Sequence, residues 1–329
     1  MLPIKIAGLG FYLPERRVLS SELERLYGTT PGWIERTTGV RERRYVADET
    51  AAGMAAAAAR MALLHAGLKL SDVDAIIGAS ASPQQAIPCT AALVQRELGA
   101  PEGVSACFDV NATCLSFLFA LHNAAHLVAA GAYRHVLIVS SDITTNSLNP
   151  REPESAVLFG DAAAAALVTR SEPGETSALL HARFATHSSG ADYTTIVGGG
   201  TLHHPNDPHT TPEMNLFHMD GSAIFRQATR VAGPFLTRFF SEVGWRRDEV
   251  DLVIPHQASF HALRQLSTRF GFQPKQVFLN LHLRGNCIGA SIPLAFAEAT
   301  HTGEIHRGQK LVLLGTGAGL TLGAMALIY

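Results

Sequence analysis

The chain has 329 residues, of which 47% are hydrophobic and 16% charged, and its formal net charge is −2. That balance excludes a disordered or fibrous chain, and bulk electrostatics give no reason to expect nucleic acid as a partner. The length allows two domains or one large layered one.

Strand-like sequence begins at once, in Met1 to Gly10. No signal peptide is expected. The cysteines, Cys89, Cys107, Cys114 and Cys287, show neither a C-x-x-C pair nor metal-ligand spacing. A reducing cytoplasm and no metal are therefore expected. Arg36, Arg41, Arg43 and Arg44 cluster next, either as a solvated segment or as a site for phosphates or an acidic partner. Ala51–Ala66 reads as a helix, too short and too interrupted by Arg60 and His65 to cross a membrane.

Asp72 to Ser82 follows as an acidic turn, a short buried strand and a small polar loop. A second buried strand ends at Phe108-Asp109-Val110, and an apolar helix runs on to Ala129. Cys114 falls between them, where unpaired backbone N–H groups and the helix dipole favour a thiolate. A free cysteine there is also readable as a small buried hydrophobe. The strand Val136–Ser140, a Gly/Asp turn at Phe159–Ala162 and a strand to Val168 close the first half. Residues 188–220 form a long loop rich in Gly, His, Pro and Thr, of the kind that covers sites. Its His203, His204 and His209 lack ligand spacing.

The order then repeats. Glu249 to Ser259 matches Asp72 to Ser82, with His256 where the first half has Ala79. The Gly285–Asn286 loop matches the Cys114 loop, and each leads through a helix to a strand and a Gly/Ala-rich turn. Apolar strands without polar alternation fit sheets covered on both faces. A pseudo-twofold relation would bring Cys114 and the Asn286 loop face to face, with His256 close by.

Several segments resemble the thiolase-fold condensing enzymes, and most of all β-ketoacyl-[acyl-carrier-protein] synthase III. These are Trp33 to Arg43, Asp109 to Cys114, Phe159-Gly160-Asp161, Ile254-Pro255-His256-Gln257-Ala258, and Gly285 to Pro293. The resemblance implies an α/β thiolase fold, with two duplicated halves (1–172 and 173–329) in a five-layered α-β-α-β-α sandwich. It implies an acyltransferase that performs a decarboxylating Claisen condensation of an acyl-CoA with malonyl-[acyl-carrier protein]. No cofactor is implied, nor any membrane association. Cys114 would carry the acyl group, and His256 and Asn286 would stabilise the enolate. The Cys114 N–H and a glycine N–H, from Gly317 or Gly319, would form the oxyanion hole. Trp33 and Arg36 would grip coenzyme A, and Arg264 and Arg269 would meet the carrier protein. Ile87 would project into the acyl pocket of a homodimer partner.

The chain departs from the family pattern at Thr113, Leu115 and Ser116 around the nucleophile, and Leu115 is expected to crowd or redirect the acyl channel. It departs again at Ser259 in place of an asparagine, at Pro153 and at His261. These departures keep two other readings open. One is acyl transfer to a hydroxyl or amine, or condensation of two acyl-CoAs. The other is a non-catalytic partner subunit.

Overall fold

The structure is a computed structural model describing residues 1–329. Its first sheet is built from β1 (Ile4–Tyr12), β2 (Ala75–Gly78), β3 (Ala106–Asp109), β4 (His135–Asp142) and β5 (Ala162–Arg170), in the order β1-β5-β4-β2-β3. The second contains β6 (Ala178–Thr186), β7 (Leu252–Pro255), β8 (Lys310–Gly317) and β9 (Thr321–Ile328), in the order β7-β8-β9-β6. Taken from β6, the second order repeats the first four strands of the other sheet. The fifth position is reduced to one parallel bridge between Val253 and Val277. The duplication is thus visible in topology and register: β2 runs parallel to β4 as β7 does to β8.

Six helices complete the layers: α1 (Ala51–Ala66), α2 (Thr90–Leu98), α3 (Ser116–Ala129), α4 (Gly221–Val243), α5 (Phe260–Thr268) and α6 (Ser291–His301). The buried faces of α3 and α6 fill the space between the sheets with Leu118, Ala124, Ile292 and Phe296. α1 and α2 cover the outer face of the first sheet, and α4 and α5 that of the second. The result is the five-layered α-β-α-β-α thiolase fold. Alanine dominates α1 because the helix lies close on β1, where a Cβ at Gly8 or Gly10 would run into the carbonyls of Ala62 and Ala58. No helix is long and apolar enough to cross a membrane.

The arginine cluster does not form a patch. Arg43 is fully buried, donating to the Ser20 hydroxyl at 3.0 Å and to the Val157 carbonyl at 2.7 Å. Arg44 caps the carbonyls of Pro14 and Glu15, and Arg41 pairs with Glu35. Arg36, too, is engaged, its guanidinium folding back on the Pro31 carbonyl. Four arginines held by separate partners make no phosphate cradle.

Candidate active site

The Cys114 loop is held by a local code. Asn111 Oδ1 accepts from the Thr113 N–H at 2.9 Å, and Ser116 Oγ accepts from the Ala112 N–H at 2.9 Å. Thr113 is thereby held at φ 53°, a left-handed conformation that a β-branched residue rarely adopts. Thr113–Leu115 forms a tight turn ahead of α3. The second half repeats it: Asn286 Oδ1 accepts from the Ile288 N–H at 2.9 Å, Ser291 Oγ from the Cys287 N–H at 2.9 Å, and Ile288 has φ 49°.

Cys114, His256 and Asn286 line one cavity of about 550 Å³. The sulfur is faced by the N–H groups of Cys114 and Ala318 and by the Thr113 hydroxyl, which hold its pKa down. Burial, the largest effect, and the Asp142 carboxylate outweigh them and push it up to about 12. The helix start alone suggested a thiolate; burial makes the resting group a neutral thiol. His256 is buried and its Nδ1 has no partner. Burial lowers its pKa to about 4, so the imidazole is neutral at physiological pH. The Oδ1 of Asn286 is occupied by its own turn, while its amide has only a long 3.5 Å contact with the Ala258 carbonyl. A neutral imidazole and a weakly engaged amide can both donate to one anionic oxygen.

The remaining residues fall on both sides of the cavity wall. Gly317, Gly319 and Ser259 line it, and Ser259 also caps α5 by accepting from the Ala262 N–H. The N–H meeting the sulfur, however, belongs to Ala318, between the two glycines expected to supply it. Leu115 was expected to crowd the acyl channel. It is instead fully buried in the core between the sheets, outside the cavity wall, against Gly315, Gly317 and Gly323. Trp33 and Arg36 lie outside the cavity on a short helix, Trp33–Thr38, that neighbours α5. Ile87 is 84% exposed in a surface loop, and Arg264 and Arg269 are exposed on and just after α5. The long loop does cover the cavity, through Thr194, Ile196, Phe217 and Met219.

Asp142 escaped the sequence reading. It is buried at the end of β4, its Oδ1 accepting from the Ala81 N–H at 2.9 Å, and its Oδ2 faces Gly289 and Ala290. Desolvation pushes its pKa up to about 7 against these amides. The signal was present: one carboxylate ends an apolar strand. Ala318 acts through its backbone, so no side-chain pattern could have singled it out.

Two family profiles match the chain: 3-oxoacyl-[acyl-carrier-protein (ACP)] synthase III over residues 108–188, and its C-terminal counterpart over residues 240–329. Among curated relatives, β-ketoacyl-[acyl-carrier-protein] synthase III of Symbiobacterium thermophilum is 36% identical, over 99% of this chain and 98% of the relative. The Clostridium acetobutylicum protein of the same name is 31% identical, over 99% of both. Among solved structures, 3-oxoacyl-[acyl-carrier-protein] synthase III from Aquifex aeolicus superposes with a TM-score of 0.89 at 33% identity, covering 99% of this chain and 100% of that one.

Proposed function

The chain belongs to the 3-oxoacyl-[acyl-carrier-protein] synthase III family, and from that premise we propose that it condenses an acyl-CoA with malonyl-[acyl-carrier protein], releasing carbon dioxide and a β-ketoacyl thioester. The observation that carries this is the single apolar cavity in which the Cys114 thiol meets a neutral imidazole and an outward-free carboxamide.

In the first half-reaction Cys114 sulfur attacks the acyl thioester, and the thiol proton ends on the departing coenzyme A sulfur. The N–H groups of Cys114 and Ala318 receive the oxygen of the tetrahedral intermediate. Malonyl thioester then binds with its carbonyl towards His256 and Asn286. The bond to the carboxylate breaks and its electron pair moves into an enolate, whose oxygen the two neutral donors hold. The carbanion attacks the acyl carbonyl, the new carbon–carbon bond forms, and the sulfur leaves as a thiolate that takes a proton from solvent. An apolar, loop-covered cavity shields the carbanion from water protons.

Trp33, Arg36, Arg264 and Arg269 all lie outside the cavity wall, where they would meet coenzyme A or the carrier protein. A homodimer fits the free edge that β3 presents at the end of its sheet. The test is to incubate purified protein with acyl-CoA and malonyl-carrier protein and follow carbon dioxide and product mass. Carbon dioxide and β-ketoacyl-carrier protein above a Cys114→Ala control are expected. Acyl transfer to a hydroxyl or amine without carbon dioxide would replace this reading.

A further inference from the structure

Thr113 carries a hydroxyl that the fold does not use. The residue lines the same cavity as Cys114, and its Oγ1 is buried and closes no hydrogen bond in the resting chain. Threonines in tight turns ordinarily engage nearby backbone through the hydroxyl. Here those backbone groups are already taken. Asn111 Oδ1 accepts from the Thr113 N–H at 2.9 Å, Ser116 Oγ accepts from the Ala112 N–H at 2.9 Å, and the Ser116 hydroxyl donates to the Thr113 carbonyl at 2.7 Å. A buried hydroxyl without a partner costs free energy, so its persistence needs a reason other than packing.

The second half supplies the comparison. Ile288 holds the equivalent place in the Asn286 turn, at φ 49° against 53° for Thr113, with the same asparagine and serine contacts. That turn forms around a β-branched side chain with no hydroxyl, so the hydroxyl of Thr113 is not needed to make its own. What differs is the next residue: Cys114 follows Thr113, and Gly289 follows Ile288. The Thr113 hydroxyl faces the Cys114 sulfur. It also lies against Gly317 at the end of β8, where a Cβ would stand 2.9 Å from Oγ1. Gly317 precedes Ala318, whose N–H meets the same sulfur. One donor from each half thus converges on Cys114.

We propose that Thr113 is a catalytic residue whose hydroxyl donates to the Cys114 sulfur while that sulfur carries negative charge. The inference rests on the thioester chemistry proposed above. There the sulfur becomes anionic twice, as the thiol gives up its proton during attack and as the sulfur leaves the tetrahedral intermediate of the condensation. No proton leaves the hydroxyl; its hydrogen rotates about the Cβ–Oγ1 bond towards the anion. A hydrogen bond that closes only on the charged form lowers the barrier without stabilising the resting thiol. Hydrogen bonds to charged groups of this kind are worth about ten- to hundredfold in rate.

The test reads thiol reactivity directly, as iodoacetamide alkylation of the Cys114 peptide across a pH range, and needs no acyl donor. The titratable groups facing the sulfur, Asp142 at the end of β4 and His256 in the same cavity, are unchanged in every variant. Thr113→Val keeps the β-branched shape that Ile288 shows the turn to accept. It is expected to slow alkylation about tenfold or more at a given pH and to move the profile to higher pH. Thr113→Ser returns the hydroxyl and is expected to recover most of the lost rate. Thr113→Ala provides the same reading as valine should Thr113→Val not fold. A folded valine or alanine variant with the wild-type profile overturns the proposal, and so does a serine variant as slow as valine. Absence of carbon dioxide release by the wild type would instead overturn the condensation reading itself.

Discussion

Asn111 and Asn286 occupy equivalent positions in the two halves. Each accepts, through Oδ1, the N–H two residues on at 2.9 Å, and each precedes by five residues a serine that caps the turn. The loops have diverged in use. Three residues after Asn111 comes Cys114; three after Asn286 comes Gly289, where a Cβ would stand 2.9 Å from the Asp142 carboxylate. The first asparagine donates to the Ala81 carbonyl at 2.8 Å, whereas the second leaves its amide nearly free at the cavity. One scaffold therefore presents a thiol in one half and a hydrogen-bond donor in the other.

Asn286→Ala should separate the two half-reactions. Loss of one donor to a developing oxyanion lowers rates by about 10²–10³-fold. Carbon dioxide release from malonyl thioester should fall by that order, while acylation of Cys114, which uses the Ala318 N–H, should persist. Intact mass after acyl-CoA addition, beside a carbon dioxide assay, checks the split. An equal fall in both would show that the asparagine matters chiefly for the turn.

Asp142→Asn should make the thiol more acidic. The carboxylate raises the Cys114 pKa, and its own pKa of about 7 means that it is charged only in neutral to alkaline solution. Removing it should shift the pH profile of Cys114 alkylation to lower pH, with the difference from wild type vanishing in acid. Iodoacetamide rates across the pH range measure this. An unshifted profile would mean that the amides of Ala81, Gly289 and Ala290 already neutralise the charge.

How much of this was legible in the sequence follows from range. The duplicated order of turn, strand, loop and helix is local, so it predicted both sheets and the meeting of Cys114 with the second-half loop. The alignment of the two loops residue by residue was harder, because Asn111 and Asn286 match through a turn in which Thr113 and Ile288 adopt a rare backbone. The burial of Arg43 depends on Val157, 114 positions away, and no arginine spacing reveals it. Leu115 sits next to Cys114 in sequence, yet the turn into α3 points it into the opposite core.

His256 should stay neutral throughout the working range, and its burial should leave a trace in stability. Its pKa is lowered from 6.5 to about 4. The unfolded chain therefore takes up a proton first as pH falls, so this residue's contribution is fully present above pH 6.5 and is lost progressively towards pH 4. Between about pH 7.5 and about pH 5, His256→Gln should lose less stability than wild type, as read from denaturant midpoints. A His256 imidazole resonance, identified by its loss in His256→Gln, that titrates near 6.5 in the folded protein would contradict the burial argument.

Glu298 should prove to be the strut behind the Asn286 loop. It lies in α6, buried, and its carboxylate receives the Arg284 Nε at 2.7 Å and the Asn280 amide at 2.8 Å. Asn280 and Leu281 in turn donate their N–H groups to Gln257, the neighbour of His256, at 3.2 and 3.1 Å. One carboxylate thus braces the segments carrying both His256 and Asn286. Glu298→Ala strands a largely buried guanidinium, whose side chain is 19% exposed, and unpairing such a group costs about 3–5 kcal/mol. Glu298→Gln keeps an acceptor for both donors and should cost less. Melting temperatures of the two variants, with the carbon dioxide assay at a temperature where each is folded, test the order. If the alanine variant melts like wild type, the His256 and Asn286 segments are held without this strut, and Gln257 must fix them alone.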